Sequence, residues 1–207
     1  MKASPVSQNT QINFEAGIKL TTFKRIKNAS KRFAKNLIDE PFSEKQIIKR
    51  PSAYTLGVCD CVSGGIWDGK KVTLFHIIPT QENVDNLPQI LNTLLEKLGN
   101  SDKKLRGLLL GGATHQRSRL LFEAFESFMQ SKKIPCTTLK QHKNRYANAQ
   151  ILFNSKKDEW LISNFRINQH INFLKQQHRK ITKAQIMEML NYSYNKIDIS
   201  PLDNLYA

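Results

Sequence analysis

The segment from Thr55 to Pro79 constrains the fold more than any other. Val72, Leu74, His76 and Ile78 alternate with Thr73, Phe75 and Ile77, a period-two run that puts the first four on one face of a strand. Asp68-Gly-Lys-Lys71 is a turn signal ahead of it. Thr55-Leu-Gly-Val-Cys-Asp-Cys61-Val-Ser-Gly-Gly-Ile-Trp67 reads as the neighbouring strand, punctuated by Gly64-Gly65. Two adjacent strands commit the chain to a sheet and bring an imidazole beside a thiol. A cysteine is a competent nucleophile only where a base or electropositive surroundings favour the thiolate, and His76 is the candidate base. On spacing alone, a Cys and a His on apolar strands are more often core residues.

The segments that follow supply the layers. Asn86-Leu-Pro88 opens a helix lined by Leu87, Ile90, Leu91, Leu94, Leu95 and Leu98 and ended by Gly99. Residues 105–110 form an apolar strand running into Gly111-Gly112-Ala-Thr-His115. A second helix over 116–132 buries Leu120, Leu121, Ala124, Phe125, Phe128 and Met129. Residues 134–139 read as an edge or entry strand because of Pro135. Residues 149–153 and 159–163, joined by Asn154-Ser-Lys-Lys-Asp158, make a hairpin. The expected fold is α/β (α+β), a layered sandwich with a mixed β-sheet flanked by helices. Trp67, Trp160 and Cys136 are expected to pack in its core.

Both ends read differently. Over 13–39 the residues Phe14, Ile18, Phe23, Ile26, Phe33, Leu37 and Ile38 recur at helical spacing among lysines, predicting one or two basic amphipathic helices. Pro41 and Pro51 bracket the approach to the first core strand. Beyond 164, Ile167, Ile171 and Leu174 share a helical face, and Thr182-Lys-Ala-Gln185 is a capping-box pattern for a helix burying Ile186, Met189 and Leu190, with Pro201 as its stop. The organisation expected is a basic helical extension over 1–50, a core over 51–164 and a helical extension over 165–207, packed as one globular unit.

The net charge is +15, distributed as +7 over 1–50, +5 over 51–164 and +3 over the remainder. Such a field favours acidic partners, nucleic-acid complexes or anionic surfaces, and it governs encounter rather than fold. No apolar run reaches the length of a membrane span, and the polar start has no apolar signal region. Three cysteines, two of them one residue apart, give no paired framework. These features lead us to expect a cytoplasmic protein with reduced thiols.

The segment Thr55-Leu-Gly-Val-Cys-Asp-Cys61-Val resembles the Thr-Leu-Gly-Leu-Gly-Ser-Cys-Val signature of the chemoreceptor glutamine deamidases (the CheD family), and His76-Ile-Ile-Pro79 resembles their His-x-x-Leu-Pro. Leu110-Gly-Gly-Ala113 is similar to their Phe-Gly-Gly-Ala strand end, and a helix, Lys133-Ile-Pro and a closing hairpin follow in the same order. The resemblance covers roughly 52–164. It implies the α/β sandwich and Cys-His site that this family shares with the catalytic domain of cytotoxic necrotizing factors and with the Burkholderia lethal factor. By that resemblance Cys61 is the nucleophile, His76 the general base and Thr55 the group that orients the imidazole. Besides the conservative Val58 for Leu, two positions depart from the pattern: Cys59 stands for the family's Gly and Asp60 for its Ser. Cys59 is therefore the alternative nucleophile, although only Cys61 keeps Thr55, Val62 and Asp68 at the family's offsets.

The implied activity is protein-glutamine deamidation through a cysteine thioester, with no cofactor and no metal, on a glutamine-bearing and acidic or nucleic-acid-associated protein. The similar length of the lethal factor suggests an effector delivered into a host cell's cytosol. A chemotaxis receptor deamidase and a transglutaminase would use the same site. Gly111, Gly112 and His115 are candidate substrate-binding residues. Two readings of other classes are a nucleic-acid-binding module, motivated by charge alone, and a metal site of Cys59, Cys61 and His76, which lacks an evident fourth ligand.

Overall fold

A computed structural model describes residues 17–31, 37–38, 45–99, 105–112, 115–141, 148–177, 182, 184–185 and 194–198. In chain order the elements are β1 (Gly17–Leu20), α1 (Phe23–Ser30), β2 (Leu37–Ile38), β3 (Lys45–Arg50), β4 (Ala53–Val58), β5 (Val62–Trp67), β6 (Val72–Ile77) and α2 (Gln81–Asp85). They continue as α3 (Leu87–Leu98), β7 (Arg106–Gly111), α4 (Gln116–Ser131), β8 (Cys136–Gln141), β9 (Ala149–Asn154), β10 (Glu159–Ser163), α5 (Phe165–Gln176) and β11 (Tyr194–Asp198).

The α+β class is as expected, but there are two mixed sheets rather than one. A five-stranded sheet has the order β1-β10-β9-β4-β2, and a six-stranded sheet the order β11-β8-β7-β5-β6-β3. Between them lies an apolar core containing Leu74, Leu108, Leu110, Ile151 and Ile162. Phe153 sits at its centre, its ring 4.5 Å from Trp67 and 4.8 Å from Trp160. A second core fills the other face of the six-stranded sheet. There Phe75 stacks on Phe125 at 4.5 Å, and Ile90 and Leu94 of α3 meet Leu121 and Phe122 of α4. Each fully buried side chain of this size contributes about 1.5–3 kcal/mol, which is what holds the helices to the sheet. A smaller cluster packs Ile26 of α1 on Tyr54, Leu152 and Leu161. The layers therefore run α1, five-stranded sheet, six-stranded sheet, α3 with α4.

Local signals placed several elements well. Helix α3 starts after Asn86 with Pro in its first turn and stops at Gly99, and β9 and β10 form the expected antiparallel hairpin. In α4 the buried stripe is rotated from expectation: Phe122 is fully buried while Leu120 is 43% exposed. Helix α2, capped by Thr80, was not anticipated.

The extensions require correction. Residues 13–39 are not simply helical, because Ile18 and Leu20 lie on β1, paired in parallel with Trp160 and Ile162 of β10. Within Gly17–Leu20 they alternate inward while Lys19 turns out to meet Glu159 at 2.8 Å. A four-residue period-two run is masked in a helical count over a long window, and the exposed edge of β10 decides its conformation. Among the described residues of this stretch the α-helix is Phe23–Ser30, with Thr22 Oγ1 accepting from the Arg25 N–H at 3.3 Å; Leu37 and Ile38 pair with β4. Phe14 and Phe33 lie outside the described residues. Strand β3, expected only as a connection, covers the β6 edge and sets Gln46 opposite His76.

At the other end α5 adds Ile167 and Ile171 to the inter-sheet core. The capping box forms: the Thr182 N–H donates to Gln185 Oε1 at 3.0 Å and the Gln185 N–H donates to Thr182 Oγ1 at 3.3 Å. Ile186, Met189 and Leu190 lie outside the described residues, as does the side chain of Leu174. Tyr194–Asp198, expected in a helix and its tail, is the edge strand β11. It makes β8 an interior strand, correcting the edge reading. Pro135 is compatible because it precedes the first paired residue, and its carbonyl accepts from the Gly107 N–H at 2.7 Å. Of the described residues at the two ends, β1 and β2 thus join the five-stranded sheet and β3 and β11 the six-stranded one.

Candidate active site

Thr55, Cys61 and His76 come from three consecutive strand regions, and a break in β4 is what separates the first two. The ladder between β4 and β9 shifts register between Thr55 and Val58, where Gly57 has a φ of 69°. A positive φ suits glycine, which has no Cβ to clash. The chain then leaves the five-stranded sheet after Val58, bends through Cys59-Asp60-Cys61, and enters the six-stranded sheet at Val62. The thiols therefore lie in an inter-sheet bend, not inside a strand as the alternating sequence suggested. Gly64 and Gly65 lie within β5 rather than punctuating it; a Cβ on Gly65 would meet the Trp160 ring.

Thr55 and His76 meet across the gap between the sheets. Thr55, fully buried on β4, has its Oγ1 2.7 Å from Nδ1 of His76 on β6. His76 is opposite Ser63 of β5, and Cys61 is two residues earlier on that side and packs against the inter-sheet core. With Nδ1 engaged by Thr55, Nε2 is the ring nitrogen left for chemistry. In the tautomer that frees the Nε2 lone pair, Nδ1–H donates to Thr55 Oγ1.

The His76 ring and the Cys61 thiol are both held in their neutral forms by burial. Burial drives His76 from its ordinary 6.5 down to about 4. Burial, followed by the nearby Cys59 and Asp60 charges, pushes the Cys61 thiol from 9.0 up to about 12, against a smaller opposing effect of its own backbone N–H. Cys59 is also raised, first by burial and then by Asp60, while the Asn148 N–H opposes the shift. Burial thus disfavours a preformed thiolate–imidazolium pair, and in any attack by Cys61 proton transfer to His76 would have to accompany bond formation.

Further residues hold the bend. Ser118 Oγ, in the first turn of α4, donates to the Asp60 carbonyl at 2.6 Å. Gly111 has a φ of 131°, and a Cβ there would collide with the Cys61 carbonyl oxygen. Gln141 Nε2 donates to the Val58 carbonyl at 3.4 Å. Asp60 Oδ1 is buried without a hydrogen-bond partner, an arrangement that costs about 1–3 kcal/mol. Asp68, just beyond β5, accepts from the Lys70 and Lys71 N–H groups at 2.9 and 2.7 Å and pairs with Lys49 at 3.0 Å. Burial raises its pKa, and the Lys71 and Lys70 N–H bonds with the Lys49 ammonium outweigh that and lower it.

The candidate substrate-binding residues fall in different places. Gly111 backs the Cys61 peptide, and Gly112 lies against the Phe122 ring. His115 caps α4, its Nδ1 accepting from the Ser118 N–H at 3.4 Å. It lines an open cavity of about 580 Å³ with Pro79, Gln81, Val84, Gln116, Arg117 and Leu120. Sequence reasoning missed Ser118, whose partner is 58 positions away; a serine in a helix's first turn signals only a local cap.

Among the described residues no group of three His, Cys, Asp or Glu side chains is arranged to hold a metal ion, so Cys59, Cys61 and His76 do not make the ligand set considered above. Nor is any described helix long and apolar enough to cross a membrane. No protein-family model matches the chain, and no curated protein matches it significantly.

Proposed function

We propose that this chain is a protein-glutamine deamidase in which Cys61 is the nucleophile, His76 the general base and Thr55 the residue that orients His76. The observation that carries the reading is the 2.7 Å contact between Thr55 Oγ1 and His76 Nδ1, made between two sheets at the point where the chain bearing Cys61 crosses from one to the other. A hydroxyl on one ring nitrogen fixes the tautomer and points the other nitrogen, the role of the third member in other nucleophile–base–orienter sites.

The chemistry balances with these groups alone. His76 Nε2 takes the proton from Cys61 as sulfur bonds to the carboxamide carbon, and the carbonyl electron pair moves to oxygen. The tetrahedral adduct collapses with cleavage of the C–N bond, and the His76 proton leaves on ammonia. Water, deprotonated by His76, then adds to the thioester; the C–S bond breaks, sulfur regains the proton, and glutamate is the product. A lysine amine in place of water would give an isopeptide bond. The net charge of +15 favours an acidic protein as the substrate.

The test is to incubate the protein and its Cys61→Ser, Cys59→Ser and His76→Ala variants with bacterial and eukaryotic lysates, and to search peptides by mass spectrometry for Gln-to-Glu conversion and Gln–Lys crosslinks. Conversion by the wild type and the Cys59 variant, lost in the other two, is the expected result and identifies the substrate. Crosslinks with the same mutant pattern make the enzyme a transglutaminase. Folded proteins that leave every lysate unchanged overturn the reading.

A further inference from the structure

Ser118 is fully buried beside the Cys59–Cys61 bend, and its hydroxyl does not serve its own helix. Instead it donates to the Asp60 carbonyl at 2.6 Å, joining the first turn of α4 to the peptide immediately before the proposed nucleophile. In a planar trans peptide the carbonyl of residue 60 and the N–H of residue 61 point in opposite directions. Fixing one therefore fixes the other.

Resting on the deamidase reading, we infer that Ser118 is a positioning residue: by holding the Asp60 carbonyl against α4 it turns the Cys61 N–H to the opposite side, as a donor for the oxyanion formed when Cys61 attacks a carboxamide. A second contact holds the other side of the residue. The next peptide is confined as well, because the Cys61 carbonyl packs where Gly111 has no Cβ. The peptides on both sides of Cys61 are thus held, one by a hydroxyl and one by a missing methyl. A donor preorganised in this way needs no reorientation as charge develops, which is the source of its effect on rate.

The experiment uses the lysate protein whose glutamine the wild type converts, purified as substrate. It compares Ser118→Ala, Ser118→Thr and Ser131→Ala. Ser131 is the control: its Oγ donates to the Phe128 carbonyl at 2.8 Å at the far end of α4. Ser118→Ala is expected to lower kcat by roughly tenfold to a hundredfold, short of the loss on deleting an oxyanion donor outright, with KM within about twofold. Iodoacetamide alkylation of Cys61, which develops no oxyanion, should stay within about twofold, and Ser118→Thr should restore most of kcat. A merely structural hydroxyl would leave kcat unchanged or lower it in step with alkylation, and either result overturns the inference. If the wild type converts no glutamine, the deamidase reading fails and takes this inference with it. If the wild type is active and Ser118→Ala equals it, only the inference fails.

Discussion

The neutrality of the buried imidazole has a measurable cost in acid. In the unfolded chain His76 takes up a proton around its ordinary 6.5, whereas in the folded chain burial delays this to about 4. Above pH 6.5 both states hold a neutral ring and the group has no effect on stability. As pH falls from 6.5 towards 4 the unfolded state binds the proton first, so stability declines; below pH 4 both states are protonated and the loss levels off. At 1.36 kcal/mol per unit, linkage gives a loss of about 2 kcal/mol by pH 5 and about 3 kcal/mol by pH 4. His76→Gln removes the titration. Relative to that variant, the wild type should therefore lose about these amounts between pH 7 and each lower pH, whatever the other groups contribute in common. For a chain of this size, 2 kcal/mol is about 4–8 °C in Tm. Urea midpoints at pH 7, 6, 5 and 4 measure the difference, and the NMR titration of the His76 ring locates the folded-state midpoint directly. Parallel pH dependences within about 0.5 kcal/mol, or a midpoint near 6.5, would refute a ring kept neutral by burial. By the same reasoning the acid limb of kcat/KM should fall below pH 5, not near 6.5.

Thr55→Val keeps the shape of a fully buried side chain but removes the partner of His76 Nδ1; we expect a stability loss of about 1–3 kcal/mol in chemical denaturation and a fall in kcat of about tenfold or more, with Thr55→Ser recovering activity. Gly111→Ala strains a backbone at φ 131° and drives a methyl into the Cys61 carbonyl; a destabilisation of about 1–3 kcal/mol and loss of turnover should follow, and a variant as active as wild type would remove Gly111 from the support of the bend. With Cys59 and Cys136 replaced by Ser, the rate of Cys61 alkylation should climb about tenfold per pH unit from 7 to 10, because the thiol stands near 12; a plateau with a midpoint below 7 would show a preformed ion pair instead.

Legibility in the sequence followed the range of the interactions. Helix α3 carries its own start and stop in Asn86, Pro88 and Gly99, and the β9–β10 hairpin carries its own turn, so both were readable. Strand β1 was not, because four residues at a sheet edge are decided by β10, some 140 positions away. The single sheet expected from the strands became two because Gly57 and the bend after Val58 transfer the chain between layers. A period-two pattern continues across such a bend without marking it. Thr55 and His76 are 21 positions apart on different sheets. No periodicity relates them, and their pairing was suggested by the motif resemblance alone. Ser118 had neither a motif nor a local pattern to announce it.

The placing of the site follows from what the gap between the sheets can tolerate. Its interior is built of Trp67, Phe153, Trp160 and aliphatic side chains, surroundings in which an unpaired charge is prohibitive and an unpaired polar group costs a few kcal/mol. Thr55 and His76 satisfy each other there as neutral partners, and the thiol, raised by burial and by Asp60, also stays neutral. On the proposed reading, nucleophile and base are thereby held in the seam as a neutral pair at rest. On that reading charge appears on the pair only during attack, when the imidazolium and the oxyanion would form together. The same burial that raises the Cys61 thiol, and so is expected to slow its reaction with a small electrophile at neutral pH, would then strengthen the hydrogen bonds that stabilise the adduct. If the deamidase reading holds, slow alkylation and turnover of a docked glutamine would be compatible outcomes of one electrostatic arrangement, and thiol reactivity alone would not measure catalysis.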